Sequence, residues 1–266
     1  MAYKHGVYTS EVATSMVAPI TGTAGLQVIV GTAPVNMLKD PAAAVNVPLL
    51  VSSYKEAVEA VGYLPDYANY TLCECIRANF SVVGIAPMVL INVLDPAKHK
   101  IAITGGTVQV NDGVAVLGET GVLLEGLTVK SGSTTLPAGT DYPTTWNDDG
   151  TLNIGVLSTG AGKEATSLTV TGNKIDPSKV TAADIVGGVD SSTGKETGLE
   201  VVRQVYPKLS MTPGILLAPR FSKDATVAAA LQAQPNSNHS VYGAACGVDI
   251  HRSHTGPTTH TAHQHT

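Results

Sequence analysis

The sequence is poor in charge and in aromatic residues, and each shortage narrows the function that it can have. Only 14% of its 266 residues are charged, against about 25% in an average globular chain, so much neutral surface is left for assembly. The net charge of −5 argues against a nucleic-acid groove as the main function. Aromatic residues make up 5% and are scattered singly, which provides no evident platform for stacked bases.

Cysteines and long apolar runs are also scarce. The three cysteines, Cys73, Cys75 and Cys246, argue against a disulfide framework. The N-terminal sequence MAYKHGVYTSEV has no apolar segment of the kind found in secretion signals. No apolar run approaches the ~20 residues that a membrane-spanning helix needs. We therefore expect a soluble protein that is made in the cytoplasm and is not inserted into a membrane.

Two short apolar runs are the strongest fold signal: Leu26–Val35 (LQVIVGTAPV) and Met88–Leu94 (MVLINVL). Both are rich in β-branched residues and bounded by glycine, proline or aspartate, which is typical of strands buried on both faces of a sheet. Two helical patterns lie between them, and a third apolar run, Gly214–Ala218, returns much later. This order predicts an α/β core with helices packed on a mixed sheet, and Val47–Val51 is expected to be an edge strand.

The first helix is marked by its capping residues. Ser53 and Glu56 form a capping box, so a helix is expected to begin at Tyr54. Gly62 supplies its C-terminal end. The residues predicted to share one face of this helix are Tyr54, Val58 and Val61.

Three further helices are predicted. The second runs from Tyr67 to Phe80 with Asp66 as its N-cap, the third ends at Pro207, and the fourth is capped by Ser222 and runs to Gln234. The side chains expected to face inward are Leu72, Ile76 and Phe80, then Leu199, Val202 and Tyr206, then Val227 and Leu231.

Between Lys98 and about Thr171 helix signals disappear, and threonine, glycine and valine dominate. Asn111-Asp112-Gly113 is a strong hairpin signal, because these residues tolerate positive φ, and Asn147–Gly150 is another. The pattern predicts a small antiparallel β domain. Its predicted strands are Thr107–Val110, Gly113–Leu117, Val122–Leu124, Leu127–Lys130, Thr144–Trp146, Leu152–Val156 and Leu168–Val170.

The N-terminal segment has strand-forming residues but no turn that would let it form a hairpin with itself. Val7, Tyr8, Thr9 and Val12 favour β conformation, and Pro19 is the first turn residue. Its backbone groups therefore need partners elsewhere. Strand addition to another subunit's sheet would supply them, and a disordered terminus is the alternative.

These patterns divide the chain into four parts. Residues 1–20 are an extended N-terminal arm, residues 21–97 and 197–234 the α/β core, and residues 98–196 an inserted β-rich domain. Residues 235–266 hold six of the eight histidines and are expected to be a disordered tail.

No catalytic constellation accompanies these patterns. The carboxyl ends of the two apolar runs carry Thr32, Pro34, Asn92 and Asp95, without the histidine, cysteine or glycine fingerprint that an enzyme on such a fold would use. Outside the tail the histidines are His5 and His99. We expect His99, which stands between two lysines, to lie at a solvated junction.

Other candidate sites also have simpler interpretations. Cys73 and Cys75 point about 200° apart on a helix, so they cannot share a metal and are predicted to be a core thiol and a half-exposed thiol. Gly162-Lys163 and Gly194-Lys195 lack the earlier glycine and the hydroxyl residue of a phosphate loop. Nothing fixes the geometry of the tail histidines His260, His263 and His265, which are close enough to chelate a transition metal adventitiously. No metal or cofactor is predicted.

Several segments in their order resemble contractile phage tail sheath proteins. They are GVYTSEV, GLQVIVGTAPV, APMVLINVLDP, VTAADIVGGVDSSTGKETGLEVV and PGILLAPRFSKD, and the resemblance covers roughly residues 6–234. In that family an inserted β domain interrupts the α/β core. Family members usually continue past the last helix into more of the core, so the resemblance implies a C-terminally truncated sheath, and a fragment without function is one alternative.

The resemblance implies a structural subunit, not an enzyme. Such subunits stack as rings around an inner tail tube and contract to drive the tube through a cell envelope. The implied partners are other sheath subunits, the tail tube protein, and the baseplate and tail terminator proteins, with no nucleic acid. The implied location is the virion tail, after assembly in the cytoplasm of a host bacterium. A sheath of a phage-derived bacteriocin or injection machine is the alternative.

Within this family, terminal arms donate strands to neighbouring subunits. The inter-subunit arm carried over to this sequence consists of Gly6, Val7, Tyr8, Thr9, Ser10, Glu11 and Val12. The rival classes are an enzyme on the α/β fold and a β-rich surface or adhesion module.

Overall fold

A computed structural model describes residues 25–104, 106–237 and 245–247 of the protein, with residues 235–237 and 245–247 described by their backbone alone. Its strands are β1 (Gln27–Gly31), β2 (Leu49–Val51), β3 (Met88–Asn92), β4 (Lys100–Ala102), β5 (Gly106–Asn111), β6 (Val114–Thr120), β7 (Thr128–Ser131), β8 (Thr134–Leu136), β9 (Thr144–Trp146), β10 (Thr151–Gly155), β11 (Ser167–Thr171), β12 (Asn173–Ile175), β13 (Gly188–Val189), β14 (Glu196–Thr197), β15 (Ile215–Leu217) and β16 (Ala245–Gly247).

The helices are of three kinds. The α-helices are α1 (Tyr54–Val61), α2 (Thr71–Ile76), α3 (Ala182–Val186), α4 (Val205–Leu209) and α5 (Ala225–Ser237). A wider π-helix, Arg77–Val83, continues directly from α2. The 3-10 helices are Val35–Met37, Pro41–Ala44, Pro177–Lys179 and Gly198–Gln204.

Strand β1 lies in the middle of a five-stranded sheet with the order β16-β15-β1-β3-β2. It pairs in parallel with β3, from Gln27 opposite Met88 to Gly31 opposite Asn92, and with β15 on its other side. Strand β2 joins antiparallel at the edge, as predicted. The sheet is therefore mixed, and the two strongest apolar runs are neighbours in it. The side chains predicted to be buried are at most 1% exposed: Val28, Ile29, Val30, Val89, Leu90 and Ile91.

Alternate side chains of β1 pack on opposite layers of helices. Val28 and Val30 belong to a hydrophobic cluster with residues of α3, α4 and α5. Ile29 belongs to a second cluster with residues of α1 and α2. Because successive side chains of a strand point to opposite faces, the sheet is covered on both sides, which confirms the interpretation of the apolar runs.

Helix α1 begins and ends where its capping residues predict. The Ser53 hydroxyl accepts from the Glu56 N–H at 3.2 Å, and Gly62 ends the helix with φ of 78°. The predicted face is wrong at Tyr54, which is 39% exposed, whereas Ala57 and Val61 are fully buried. Tyr54 instead packs its ring against Tyr63 with centroids 5.2 Å apart, so an aromatic contact at the surface replaced burial in the core.

The second helix is shorter at its start and wider at its end than predicted. Asp66 is not its N-cap, because the Asp66 carboxylate accepts from Asn69 N–H in a preceding turn, and α2 begins only at Thr71. Leu72 and Ile76 are fully buried, as the spacing of four predicted. Beyond Arg77 the chain widens into the π-helix.

The segment after Gly198 forms a 3-10 helix before it becomes α4, and this changes the buried face. With three residues per turn, Leu199, Val202 and Val205 are buried, while Tyr206 is 49% exposed, contrary to prediction. Pro207 does not end the helix but lies inside α4.

A second, seven-stranded sheet is entirely antiparallel, with the order β8-β7-β11-β5-β6-β10-β9, and it curls into a half-barrel. Both predicted hairpins are confirmed: Asp112 and Gly113 have φ of 49° and 79°, and Gly150 has φ of 82° between β9 and β10. The predicted strand Val122–Leu124 is wrong, because Val122 makes only an isolated bridge to Lys174. Strand β8 was not predicted.

The core sheet continues past the boundary expected at Gln234. Helix α5 begins at Ala225 and not directly after Ser222, the predicted cap. The carboxylate of the preceding residue, Asp224, accepts a hydrogen bond from Thr226 N–H at 2.8 Å. The helix runs to Ser237, and β16 then pairs in parallel with β15. These segments lie inside the range predicted as a disordered tail, so that prediction is wrong for them. Val227 and Leu231 are fully buried, as predicted.

A two-stranded neck connects the two sheets. Strand β4 pairs antiparallel with β12, and Ala102 stands opposite Asn173. The seven-stranded sheet has a hydrophobic cluster of its own. Ile185 of α3, however, is fully buried in the cluster that contains Val28. We therefore propose that the inserted domain ends near Gly172 and not at residue 196.

Two deletions of different length test this boundary. Joining Ala102 to Asn173 through an Asn-Gly turn turns the neck into a hairpin and should leave a core that unfolds cooperatively. The wider deletion between Pro96 and Gly198 also removes Ile185 and should abolish cooperative unfolding. Thermal denaturation followed by circular dichroism distinguishes the two; cooperative unfolding of both variants would contradict the place given to α3.

Candidate functional site

The polar side chains after β1 hold the backbone together. Thr32 N–H donates to the Thr71 hydroxyl and Thr71 N–H donates to the Thr32 hydroxyl, both at 3.2 Å. The Thr32 hydroxyl in turn donates to the Asn69 carbonyl at 2.7 Å. These bonds fasten the start of α2 to the end of β1, so the Thr32 hydroxyl is engaged in the fold.

Asn92, the last residue of β3, has a similar structural role. Its side chain is 0% exposed, and its Oδ1 accepts from Ala33 N–H at 3.0 Å and from Leu94 N–H at 3.1 Å. Its Nδ2 donates to the Leu94 carbonyl at 3.1 Å. The amide thus supplies hydrogen bonds where the parallel ladder between β1 and β3 ends.

A crevice of about 710 Å³ opens beyond the carboxyl ends of β1 and β15. In open α/β sheets, ligands bind where the strand order reverses, and β1 lies here between β3 and β15, which come from distant parts of the chain. The charged side chains in the lining are Glu74, Arg220 and Lys223. Arg220 Nε lies 3.4 Å from Glu74 Oε2, and both side chains are 48% exposed. Among the described residues, neither histidine nor cysteine lines this crevice.

His99 is buried, contrary to the prediction of a solvated junction. It is 5% exposed, and its Nδ1 accepts from Asp95 N–H at 2.9 Å. Its Nε2 lies 3.4 Å from Asp184 Oδ1, and its carbonyl accepts from Asp176 N–H at 2.8 Å. The two flanking lysines misled the prediction, because charged neighbours in sequence can point to solvent while the residue between them points inward.

The contacts of His99 belong to the neck. It stands immediately before β4, and Asp184 lies in α3, where the chain returns from β12. Burial raises the pKa of Asp184, but the hydroxyl and N–H of Thr181 and the nearby His99 outweigh it and lower the pKa below its ordinary value. The pair therefore links the segment that leaves the core before β4 to the segment that returns after β12, which is a structural role.

Cys73 and Cys75 occupy the two environments that the sequence predicts. Cys73 is fully buried, Cys75 is half-buried, and neither forms a disulfide. Burial raises the pKa of the Cys73 thiol to about 12. The thiolate that reacts with electrophiles is therefore strongly disfavoured at this position.

This contrast predicts selective alkylation. Iodoacetamide at pH 8 should modify Cys75 in the folded protein and leave Cys73 unmodified, because only the thiolate reacts. Peptide mapping by mass spectrometry assigns each site, and the same reaction in denaturant is the control in which both should react. Equal rates at the two cysteines in the folded protein would contradict the buried position of Cys73.

The remaining motifs are turns. Lys163 lies in a turn before β11, and Lys195 precedes β14 in the hairpin with β13. Across the described ranges, no cluster of histidine, cysteine, aspartate or glutamate is arranged to hold a metal ion. In that same part of the chain, no helix has the length and apolarity required to cross a bilayer. His260, His263 and His265 lie outside the described residues.

An exposed apolar patch was not predicted. Residues 81–86 are all exposed, and three large aliphatic side chains among them form what we call the amino-end patch: Val82 (72% exposed), Val83 (62%) and Ile85 (42%). Ile85 N–H donates to the Asn79 carbonyl at 2.9 Å. Asn79 Nδ2 donates to Gln27 Oε1 at 3.0 Å. The patch is thereby tied to the first residue of β1.

The predicted inter-subunit arm, Gly6–Val12, lies outside the described residues. Its pairing with another subunit therefore stays a prediction. What the structure describes is the point from which the preceding chain must extend, at Gly25 beside the amino end of β1.

Comparison with known proteins agrees with the resemblance seen in the sequence. No family model matches the chain. It is 31% identical over 235 residues to the tail sheath protein of Burkholderia phage BcepMu, a match that covers 87% of this chain and 46% of the relative. The chain thus spans about half the length of that relative. Over the matched residues, the chain is similar to this phage tail sheath protein.

Proposed function

We propose that the protein is a structural subunit of a contractile tail sheath. Its copies stack as rings around an inner tail tube and contract to drive that tube through the envelope of a target cell. The observation that carries the proposal is the match to a tail sheath protein along 87% of the chain.

The polar residues at the carboxyl ends of β1 and β3 support a role without catalysis. Thr32 and Asn92 are engaged in hydrogen bonds that hold the fold together. The adjoining crevice contains an exposed ion pair between Glu74 and Arg220. A sheath subunit works by contact between proteins, so it needs no cofactor.

The partners that follow from this function are proteins. They are other copies of the sheath subunit, the tail tube protein, and the baseplate and tail terminator proteins. The site of action is the virion tail, after assembly in the cytoplasm of the host bacterium. The net charge of −5 suits protein contacts better than contact with nucleic acid.

Residues 6–12 are the proposed link between subunits. They would add a strand to the sheet of a neighbouring copy, which satisfies their backbone N–H and C=O groups. Because residues 13–24 separate this segment from β1, the strand could stay paired while the cores move apart. A contracting lattice needs such a connection.

Negative-stain electron microscopy of the purified chain tests the proposal. We expect rings or tubes at high protein concentration. A variant that lacks residues 6–12 should remain monomeric under the same conditions, because it has no strand to donate. A full chain that stays monomeric up to its solubility limit, or a deletion variant that assembles equally well, would contradict the proposed function of the arm.

A further inference from the structure

We propose that Met16, Val17 and Ile20 cover the amino-end patch of their own chain. This anchor would hold the base of the N-terminal segment against Val82, Val83 and Ile85. It goes beyond the proposed function, because it concerns the single subunit and does not depend on assembly.

The path of the chain supports an occupant from the same molecule. The segment before residue 25 joins the fold at the amino end of β1, where Gln27 stands opposite Met88 of β3. The amino-end patch immediately precedes β3 at that same end of the sheet. Ile85 is hydrogen-bonded to Asn79, and Asn79 is hydrogen-bonded to Gln27. The chain therefore enters the fold beside the patch.

The lengths are compatible with this contact. Neighbouring strands lie about 5 Å apart, and the three residues from Ile85 to Met88 span at most about 10 Å. The five residues from Ile20 to Gly25 reach about 17 Å when extended. Ile20 can therefore reach Ile85, and Gly22 allows the chain to turn between them.

The two segments also match in chemistry. Between Val12 and Gly25 the sequence ATSMVAPITGTA has no charged residue, and its large apolar side chains are those of Met16, Val17 and Ile20. Residues 81–86, SVVGIA, carry no charge either. Three large aliphatic side chains exposed within four residues form a patch of the kind that marks an interaction surface. Joining the two segments removes apolar surface of both from water without burying a charge.

This anchor limits which residues of the N-terminal arm can pair with a neighbouring subunit. Residues 6–12 lie before it in sequence and remain available for strand addition. The extended arm predicted over residues 1–20 is thereby shortened to the part before Met16.

Limited proteolysis of the full-length monomer tests the anchor. A protease that cleaves beside large apolar residues, such as thermolysin, should cut slowly at Val17 and Ile20 in the unaltered protein. In the variant Val82→Ser, Val83→Ser, Ile85→Ser, cleavage at these two sites should become about tenfold faster, because proteolysis follows the population of the open form. The matched control is Val114→Ser with Val116→Ser, two exposed aliphatic residues of β6 that are 38% and 49% exposed. The control should leave the rate unchanged.

The reverse variant keeps the test valid if the patch variant folds poorly. Met16→Ser with Ile20→Ser should uncover the patch and raise the fluorescence of the apolar dye ANS, with no change in melting temperature. Rapid cleavage at Val17 and Ile20 in the unaltered monomer, equal to that in the patch variant, would overturn the proposal. Protection that appears only as the concentration rises would also overturn it, because a second copy would then be the occupant.

Discussion

Replacement of Asn92 by alanine should lower the free energy of unfolding by about 3 kcal/mol or more. The substitution leaves Ala33 N–H, Leu94 N–H and the Leu94 carbonyl without the partners that Asn92 provides. Ala33 and Leu94 are 0% exposed, so water cannot replace the amide without opening the structure. Each unsatisfied buried polar group costs about 1–3 kcal/mol.

Urea denaturation of the purified variant measures this loss. The matched control is Asn111→Ala, at the exposed end of β5, where the loss should stay below about 1 kcal/mol. A loss at Asn92 as small as that at Asn111 would show that the end of β3 is not closed by its side chain.

The substitution Ile91→Ala should destabilise the protein by about 2–5 kcal/mol, the range for a large aliphatic side chain removed from a packed core. Ile91 is 0% exposed in the strand beside β1, and it belongs to the cluster that contains Val28, Val30 and Leu199. Helices cover both faces of the sheet, so the residues around the cavity can move little to fill it.

Val116→Ala removes aliphatic carbon from a strand as well, but at a side chain that is 49% exposed. It should cost less than about 1 kcal/mol. Denaturation curves for the two variants give the comparison directly. A cost at Ile91 below about 1 kcal/mol would place β3 at an edge and would contradict the order of the five-stranded sheet.

The buried strands could be predicted because their signal is local and strong. Val28, Ile29 and Val30 are consecutive, apolar and β-branched, and a strand covered on both faces buries three such residues in a row. The hairpins were equally clear, since Asp112 and Gly113 adopt a positive φ that few residues tolerate. In both cases the residues themselves restrict the backbone, whatever surrounds them.

The errors arose where distant parts of the chain decide the outcome. The 3-10 geometry after Gly198 shifted the inner face from Tyr206 to Val205, which a helical period of 3.6 cannot anticipate. His99 is buried because Asp184, far along the chain, comes to lie beside it. Strand β16 could not be expected from its own sequence, because its pairing with β15 is a contact between separate segments.

The candidate site shows the same division. The absence of a catalytic pattern around Thr32 and Asn92 was visible in sequence, whereas the hydrogen bonds that occupy these side chains required the fold. The amino-end patch had no sequence signal, since adjacent valines such as Val82 and Val83 are as common in cores as on surfaces. Only the exposure of these residues in the structure distinguished the two.

Hydrogen exchange at residues 7–12 tests the central claim of a strand shared between subunits. Below the concentration at which the chain associates, the amides of Val7 to Val12 should exchange at the rate of an unfolded peptide. Above it, the same amides should become protected while the core amides of β1 and β3 remain unchanged. Strong protection of residues 7–12 in the monomer would show that the arm packs on its own subunit, and association without protection would show that the contact lies elsewhere. Either result would contradict the account.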